Sequence, residues 1–445
     1  MRWRCSSTVP ARALRAPPRT GCSAGCTRMA EGAGRRPRLA LAAATVAYLL
    51  FVAYQSLAGG GAGECRLPLL QQGQRLSLSD GLANLVAYLP LGLLAAAWLA
   101  PRRSAVSLAA GLAAIAGFSL AMELLQACMP ARVSSWFDLA MNSAGGLAGL
   151  LLMSRVAAPG HAPVAAPGHA PVAAAIRAPL LWPVLLVTGA WLALALAPWR
   201  FTLDVGTIRS NLAFLLHWAD WGGPDPWRFA RHFFGWLAVA VALRAIWRGR
   251  AAASLALALA IGAALVGQVL LVWRALSYDE LAAVALAAAL AFWMPSRSAG
   301  PVLARLLPLL ALVSVGAYQL APGRGGVHAG GFEWLPQLGR GSLLPALELS
   351  LMFGWLAFSL LLSLRWLQQC GVDIARRRVV LPGGVVGLML ASEVAQAWIP
   401  GRVPDSSAPL LTGLAFAVAW ALFGRAGDDR PIRDRARPTS RRPAA

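Results

Sequence analysis

Glu123 and Gln126, followed by Arg132, Asp138 and Asn142, gather two carboxylates, one guanidinium and two carboxamides in a stretch of an otherwise oily chain. Ionisable groups at the edge of a hydrocarbon layer are costly unless paired or solvated, so such a set marks where function is to be sought. A guanidinium offers a planar fork of donors suited to a phosphate or carboxylate. A neighbouring Glu or Asp can neutralise it or accept a proton. Recognition of an anionic head group, transport of a solute and base catalysis are therefore all open. So is a scaffold role, with Arg132 paired to Asp138 or Glu123 and Asn142 bonded to a neighbouring helix. Catalysis has the least support, because no nucleophile or metal set accompanies the carboxylates. Cys128 lies near Arg132, but its nearest following histidine, His161, falls on the opposite side of the membrane by the topology below.

The set recurs in part. Ala121 to Val133 and Ala391 to Val403 match at seven of thirteen positions, which brings Glu393, Gln396 and Arg402 into register, with Asp405 following. A fainter echo keeps the six-residue steps as Gln268, Arg274 and Glu280, and Ser210-Asn211-Leu212 echoes Ala83-Asn84-Leu85. Repetition of this kind reads as three copies of one unit.

The elements that must position these groups follow from composition. With 58% hydrophobic and 13% charged residues the chain suits a polytopic membrane protein, as does its mean hydropathy of +0.60. Roughly 20 apolar residues are needed per crossing. Twelve candidate spans result, near 39–58, 80–100, 104–127, 136–153, 179–198, 228–247, 252–273, 279–294, 300–320, 343–366, 379–399 and 406–423, with 205–219 as an extra half-span. The expected fold is all-α: a polytopic transmembrane protein of three four-helix units.

Charge sets the expected orientation. All 40 basic residues are Arg. Alternating the loops from a cytoplasmic N terminus puts 29 of them on one side and 11, Arg132, Arg274 and Arg402 included, on the other. The positive-inside rule then makes both termini cytoplasmic, in agreement with an even number of spans. The net charge of +22 reads as topology and contact with anionic lipid, not as nucleic-acid binding.

The domains expected are a basic, unstructured segment 1–38, a first unit 39–153, a Pro/Gly/Ala cytoplasmic linker 154–178, a degenerate unit 179–299, a third unit 300–423 and an Arg-rich tail 424–445. Met29 is an alternative start. The linker duplicates an eight-residue block, which accounts for His161 and His169 without a metal. Cys22 and Cys26 lack a second ligand pair, so no metal or cofactor is expected. Cys65 and Cys128 both fall on the outer side, where a disulfide between them is open. His217, Asp220, Asp225 and His232, interleaved with Trp218, Trp221, Trp227 and Trp236, read as an interfacial belt.

Glu123 and Gln126 share a helical face at the outer end of the third span. Ser134 or Ser135 can cap the fourth, where Gly145 and Gly149 continue the stripe of Asn142 and permit close helix approach. Asp80 and Asn84 begin the second span, also at the outer side. In this order and spacing, Asp80, Asn84, Pro90 and Gly92, then Glu123, Gln126, Arg132, Asp138, Asn142 and Gly145, resemble the VanZ-like family of membrane proteins. The resemblance covers Leu39 to Met153 in full and Pro301 to Phe423 more weakly. The family often has an Asp three residues after its Arg; that position is Ser135 in the first unit and Asp405 in the third. The third unit also has Ala408 in place of Asp138 and Thr412 in place of Asn142.

The resemblance implies an integral membrane protein of a family linked to low-level resistance to teicoplanin-type glycopeptides. The expected role is binding an envelope lipid or amphiphile at the outer leaflet of the inner membrane. Arg132 is the anion contact, Glu123 and Asp138 its charge partners, and Asn84, Gln126 and Asn142 orienting groups. Membrane lipid is the expected partner, with a lipid-linked envelope precursor or a glycopeptide as further ligands. A transporter is the rival, and it would place ionisable groups near the midplane, where Glu348 is the main exception to their clustering at helix ends.

Overall fold

A computed structural model describes residues 24–57, 63, 65, 78–99, 104–130, 134–156, 178–216, 223–247, 249–272, 276–294, 300–323, 331–336, 343–374 and 376–423. Arg132, Arg274, His217 and Asp220, the linker between 157 and 177 and the tail after 423 lie outside them, as does the side chain of Asp80. By its contacts the chain divides into Met1–Leu39 and Ala40–Ala445, and the packing below belongs to the second.

The regular elements among the described residues are helices: α1 (Ala24–Leu57), α2 (Leu78–Leu99), α3 (Ala105–Gln126), α4 (Trp136–Val156), α5 (Ala178–Ala195), α6 (Val205–Leu212), α7 (Pro226–Ile246), α8 (Arg250–Val269), α9 (Tyr278–Trp293), α10 (Gly300–Leu320), α11 (Leu343–Gln369), α12 (Arg377–Gln396) and α13 (Ser407–Phe423). Apart from α6, each falls on one of the apolar segments read from the sequence. Helix α6, with the 3-10 turn Ala213–Leu216, is the extra half-span. Helix α1 begins at Ala24, inside a stretch expected to lack structure. Ala, Arg, Met and Glu are all strong helix formers, which lets the apolar helix extend backwards.

Among the described residues, seven helices are long and apolar enough to cross a membrane: α2, α3, α7, α8, α10, α11 and α12. Apolar stretches in α1, α5, α6 and α13 are shorter. Helix α9 has 16 residues, about 24 Å at 1.5 Å per residue, against ~30 Å of hydrocarbon.

Local chemistry sets the helix starts. Ser104 and Ser107 form a reciprocal capping box ahead of α3. Asp225 accepts the N–H groups of Trp227 and Arg228 with Pro226 in the first turn. Asp204 caps α6, and the Thr207 N–H, with the Thr207 hydroxyl, holds its exposed carboxyl below the usual carboxylate range.

In α7 every residue from Trp236 to Ile246 is buried, because α5, α9 and α10 pack around it. Helix α11 lies against α5, α10 and α13, carrying Phe353, Trp355 and Trp366 into the same core. The first unit has its own contacts, closest between α2 and α4. A Cβ on Gly145 would stand 2.0 Å from the Leu85 carbonyl oxygen, one on Gly149 2.2 Å from that of Leu89, and one on Gly92 2.0 Å from that of Gly146. Glycine is required at all three because backbone fills the space a side chain would take. Leu41 and Ala44 of α1 join Leu93 and Leu94 of α2 and Val418 and Leu422 of α13 in a smaller apolar cluster.

Candidate functional site

The first unit's polar residues meet where α3 ends and α4 begins. Glu123, only 5% exposed, accepts the Ser135 N–H through Oε2 at 2.8 Å. The Ser135 hydroxyl in turn accepts the Phe137 N–H at 3.1 Å and caps α4. Asp138 lies in the first turn of the same helix. Two carboxylates thus sit at the electropositive N-terminal end of α4, where the helix dipole favours them. Asn84 of α2 donates to Asp138 Oδ1 at 2.7 Å. One turn deeper, buried Asn142 donates to the Ser119 hydroxyl of α3 at 2.9 Å. Gln126 reaches the other way and donates to the Ser56 carbonyl at the end of α1, at 2.9 Å.

Asn84, Glu123 and Asp138 thus come together at the start of α4, which follows Arg132 closely in sequence. A disulfide joins Cys65 to Cys128, and the Gly63 N–H donates to the Cys128 carbonyl at 2.9 Å. Gly63 and Cys65 are therefore both held against Cys128, just past the end of α3.

Around Glu280 the arrangement is parallel but not the same. Gln268 of α8 donates to the Ala195 carbonyl at the end of α5, as Gln126 does to the end of α1, and also to Glu280 Oε1, both at 3.0 Å. His232 Nε2 stands 3.2 Å from the same oxygen, both side chains being buried. The Thr202 N–H bonds the Leu270 carbonyl, and the Val272 N–H bonds that of Arg200, each at 2.8 Å. Asn211 donates to the carbonyls of Val269 and Leu271.

Around Glu393 the carboxylate keeps its role. Its Oε2 accepts the Asp405 N–H at 3.2 Å and its Oε1 accepts the Gln319 amide at 3.1 Å. Asp405 accepts the N–H and hydroxyl of Ser407 at the start of α13. Arg402 donates to the carbonyls of Ala321 and Tyr318 at 2.8 and 2.6 Å, so this guanidinium closes the C-terminal end of α10, where the dipole favours a cation. Gln396 is buried, and its amide nitrogen has no hydrogen-bond partner among the described residues.

Three partners were not legible from sequence. His232, read as part of an interfacial belt, is buried at 4% exposure against Glu280, and Trp236 of the same stretch is in the core; Trp227 alone of the described pair is exposed. Local aromatic density resembled a belt, whereas the histidine's partner lies 48 residues on. Glu348, read as the main exception to the clustering of charge at helix ends, lies near the start of its helix. It occupies the second turn of α11 and pairs with Arg231 at 3.4 Å, whose guanidinium lies over the Tyr318 ring, 4.6 Å from its centroid. Ser119 carried no signal, since its role depends on Asn142 from another helix.

Residues 40–157 match the family model described as VanZ/LLP1, so the stretch that holds α2, α3, α4 and most of α1 is a VanZ-like unit. No curated protein and no solved structure matches the chain.

Proposed function

Proceeding from a VanZ-like first unit in a membrane protein, we propose that this unit binds the anionic head group of an envelope lipid or amphiphile at the outer leaflet. The observation that carries the reading is convergence: Asn84, Glu123 and Asp138, from three helices, come together at the start of α4, six residues or fewer after Arg132 in sequence. Arg132 is the anion contact, and the carboxylates, anchored by the Ser135 N–H and the Asn84 amide, set its position and limit its affinity to a weakly held ligand.

The protein lies in the inner membrane with both termini cytoplasmic and crosses it twelve times as three such units. Two features support the repetition. Gln126 and Gln268 each donate to the last turn of the first helix of their unit, and in all three units the segment after that helix is hydrogen-bonded through backbone to the turn after the third, by Gly63, Thr202 and Gly323. The Cys65–Cys128 disulfide supports an oxidising, outer location for that turn.

A scaffold role is the second reading, favoured by the protein-internal bonds of Asn84, Gln126 and Asn142. A transporter with a midplane site is less favoured, because His232, Glu280 and Glu348 all lie within two turns of a helix start. Teicoplanin susceptibility of cells expressing the protein tests the head-group reading. Arg132→Ala is expected to abolish any protection while membrane abundance is unchanged; full protection by that variant rules out the anion contact.

A further inference from the structure

Where α12 ends, large apolar side chains stand open. Trp334 is 81% exposed, Leu335 70% and Trp398 72%, and Val403 of the turn after α12 is exposed as well. The segment that carries the first two is strapped down at several points. The Glu333 N–H donates to the Pro404 carbonyl at 2.9 Å, the Ser406 hydroxyl to the Trp334 carbonyl at 2.7 Å, and the Tyr54 hydroxyl of α1 to the Pro336 carbonyl at 2.7 Å. The Phe332 ring meets that of Trp334 edge-on, with centroids 5.0 Å apart. Residues 332–336 are thus fixed between the 403–406 turn and α1, and they present an apolar surface that a partner must cover.

The chemistry of that surface fits lipid. Leu390, Val394 and Trp398 follow at four-residue steps along α12 and its end, and all are exposed. They form one face of a helix long and apolar enough to cross a membrane, so the open side chains continue the face that meets hydrocarbon. Trp is favoured at the membrane–water boundary, where its ring is buried and its N–H stays wet. The Glu333 N–H and the carbonyls of Trp334 and Pro336 are already bonded, and Pro336 has no N–H, which lowers the cost of leaving water. Glu333 is half-buried and has bonding within the protein. The same device recurs between α5 and α7. Leu203 and Leu216 are exposed, while Asn211 bonds the carbonyls of Val269 and Leu271 and the Tyr278 hydroxyl donates to that of Phe214.

We propose that residues 332–336, with Trp398, anchor the protein in the boundary between head groups and acyl chains of the leaflet at this end of the bundle. Ser56, whose carbonyl accepts Gln126, lies just beyond Tyr54 on α1, so the anchor also sets the level of the first unit's polar site in the bilayer. The anchor is independent of what that site binds.

Spin labelling of the full-length protein in nanodiscs of phosphatidylglycerol and phosphatidylcholine tests it. The label sits on Leu335→Cys in a background of Cys5→Ser, Cys22→Ser, Cys26→Ser and Cys370→Ser, with the Cys65–Cys128 disulfide kept. Trp334→Cys is the second position and serves if the first variant does not fold. Dissolved oxygen, which partitions into lipid, is expected to relax the label more strongly than a water-soluble nickel chelate. The reverse order puts the segment in water and overturns the proposal. Spin–spin broadening that disappears on dilution with unlabelled protein overturns it too, because a second copy then covers the surface.

Discussion

Gly145→Ala puts the α2–α4 contact under a defined load. A Cβ there would stand 2.0 Å from the Leu85 carbonyl oxygen, whereas ordinary contact begins near 3.4 Å, so the two backbones must part by about 1.4 Å. Overpacking of this kind costs ~1–3 kcal/mol. The same displacement stretches the Asn84–Asp138 hydrogen bond from 2.7 Å to about 4.1 Å, beyond useful range, and a bond to a charged group contributes ~1.5–3 kcal/mol. The expected destabilisation is about 3 kcal/mol, a roughly hundredfold shift in the folded ratio. Titration of the purified protein with sodium dodecyl sulfate in mixed micelles, followed by circular dichroism, measures it. Gly117→Ala is the control: it meets nothing within 4 Å, so the higher helix propensity of Ala makes it neutral or stabilising by up to ~1 kcal/mol. Asn84→Ala should also cost less in the Gly145→Ala background than in wild type, because the bond is already stretched. Equal behaviour of Gly145→Ala and Gly117→Ala, or strict additivity with Asn84→Ala, refutes the reasoning.

Other perturbations separate the remaining contacts. Ser119→Ala leaves the buried Asn142 amide without its acceptor and is expected to cost ~1–3 kcal/mol in the same titration, most of it recovered by adding Asn142→Leu. His232→Ala removes one member of the buried pair with Glu280 and is expected to cost ~3–5 kcal/mol, whereas Glu280→Gln, which keeps the hydrogen bonds, costs less. Reduction of Cys65–Cys128 opens a loop of 63 residues, for which chain entropy gives at most ~4 kcal/mol; the check is the melting temperature with and without reductant, against a Cys65→Ser, Cys128→Ser variant that should not respond.

Most of the helical layout was legible because an apolar run of membrane length has few alternatives, and the positions of α2, α3, α7 and α10 follow from that alone. A close approach of another helix to α4 was legible too, since Gly145 and Gly149 lie one turn apart on the stripe of Asn142, but that α2 is the helix that approaches was not. What could not be read was pairing across distant elements. Ser119 is an ordinary helix residue until Asn142 meets it, and His232 belongs to a Trp-rich stretch until α9 brings Glu280 against it. Glu348 looked isolated because its partner Arg231 lies on another helix. Arg402 was read with the acids of its own unit, yet the end of α10 offers it two carbonyls, an interaction that no residue spacing announces.

The central claim is that Arg132 meets an anionic ligand at the outer end of the first unit. Its most direct test is the affinity of a phosphate-headed lipid for the nanodisc-reconstituted protein, compared with that for the same protein carrying Arg132→Gln. The account predicts that the added substitution weakens binding by about tenfold or more with the melting temperature unchanged. Unchanged affinity, or a loss that appears only together with a fall in melting temperature, contradicts it and leaves Arg132 as part of the scaffold.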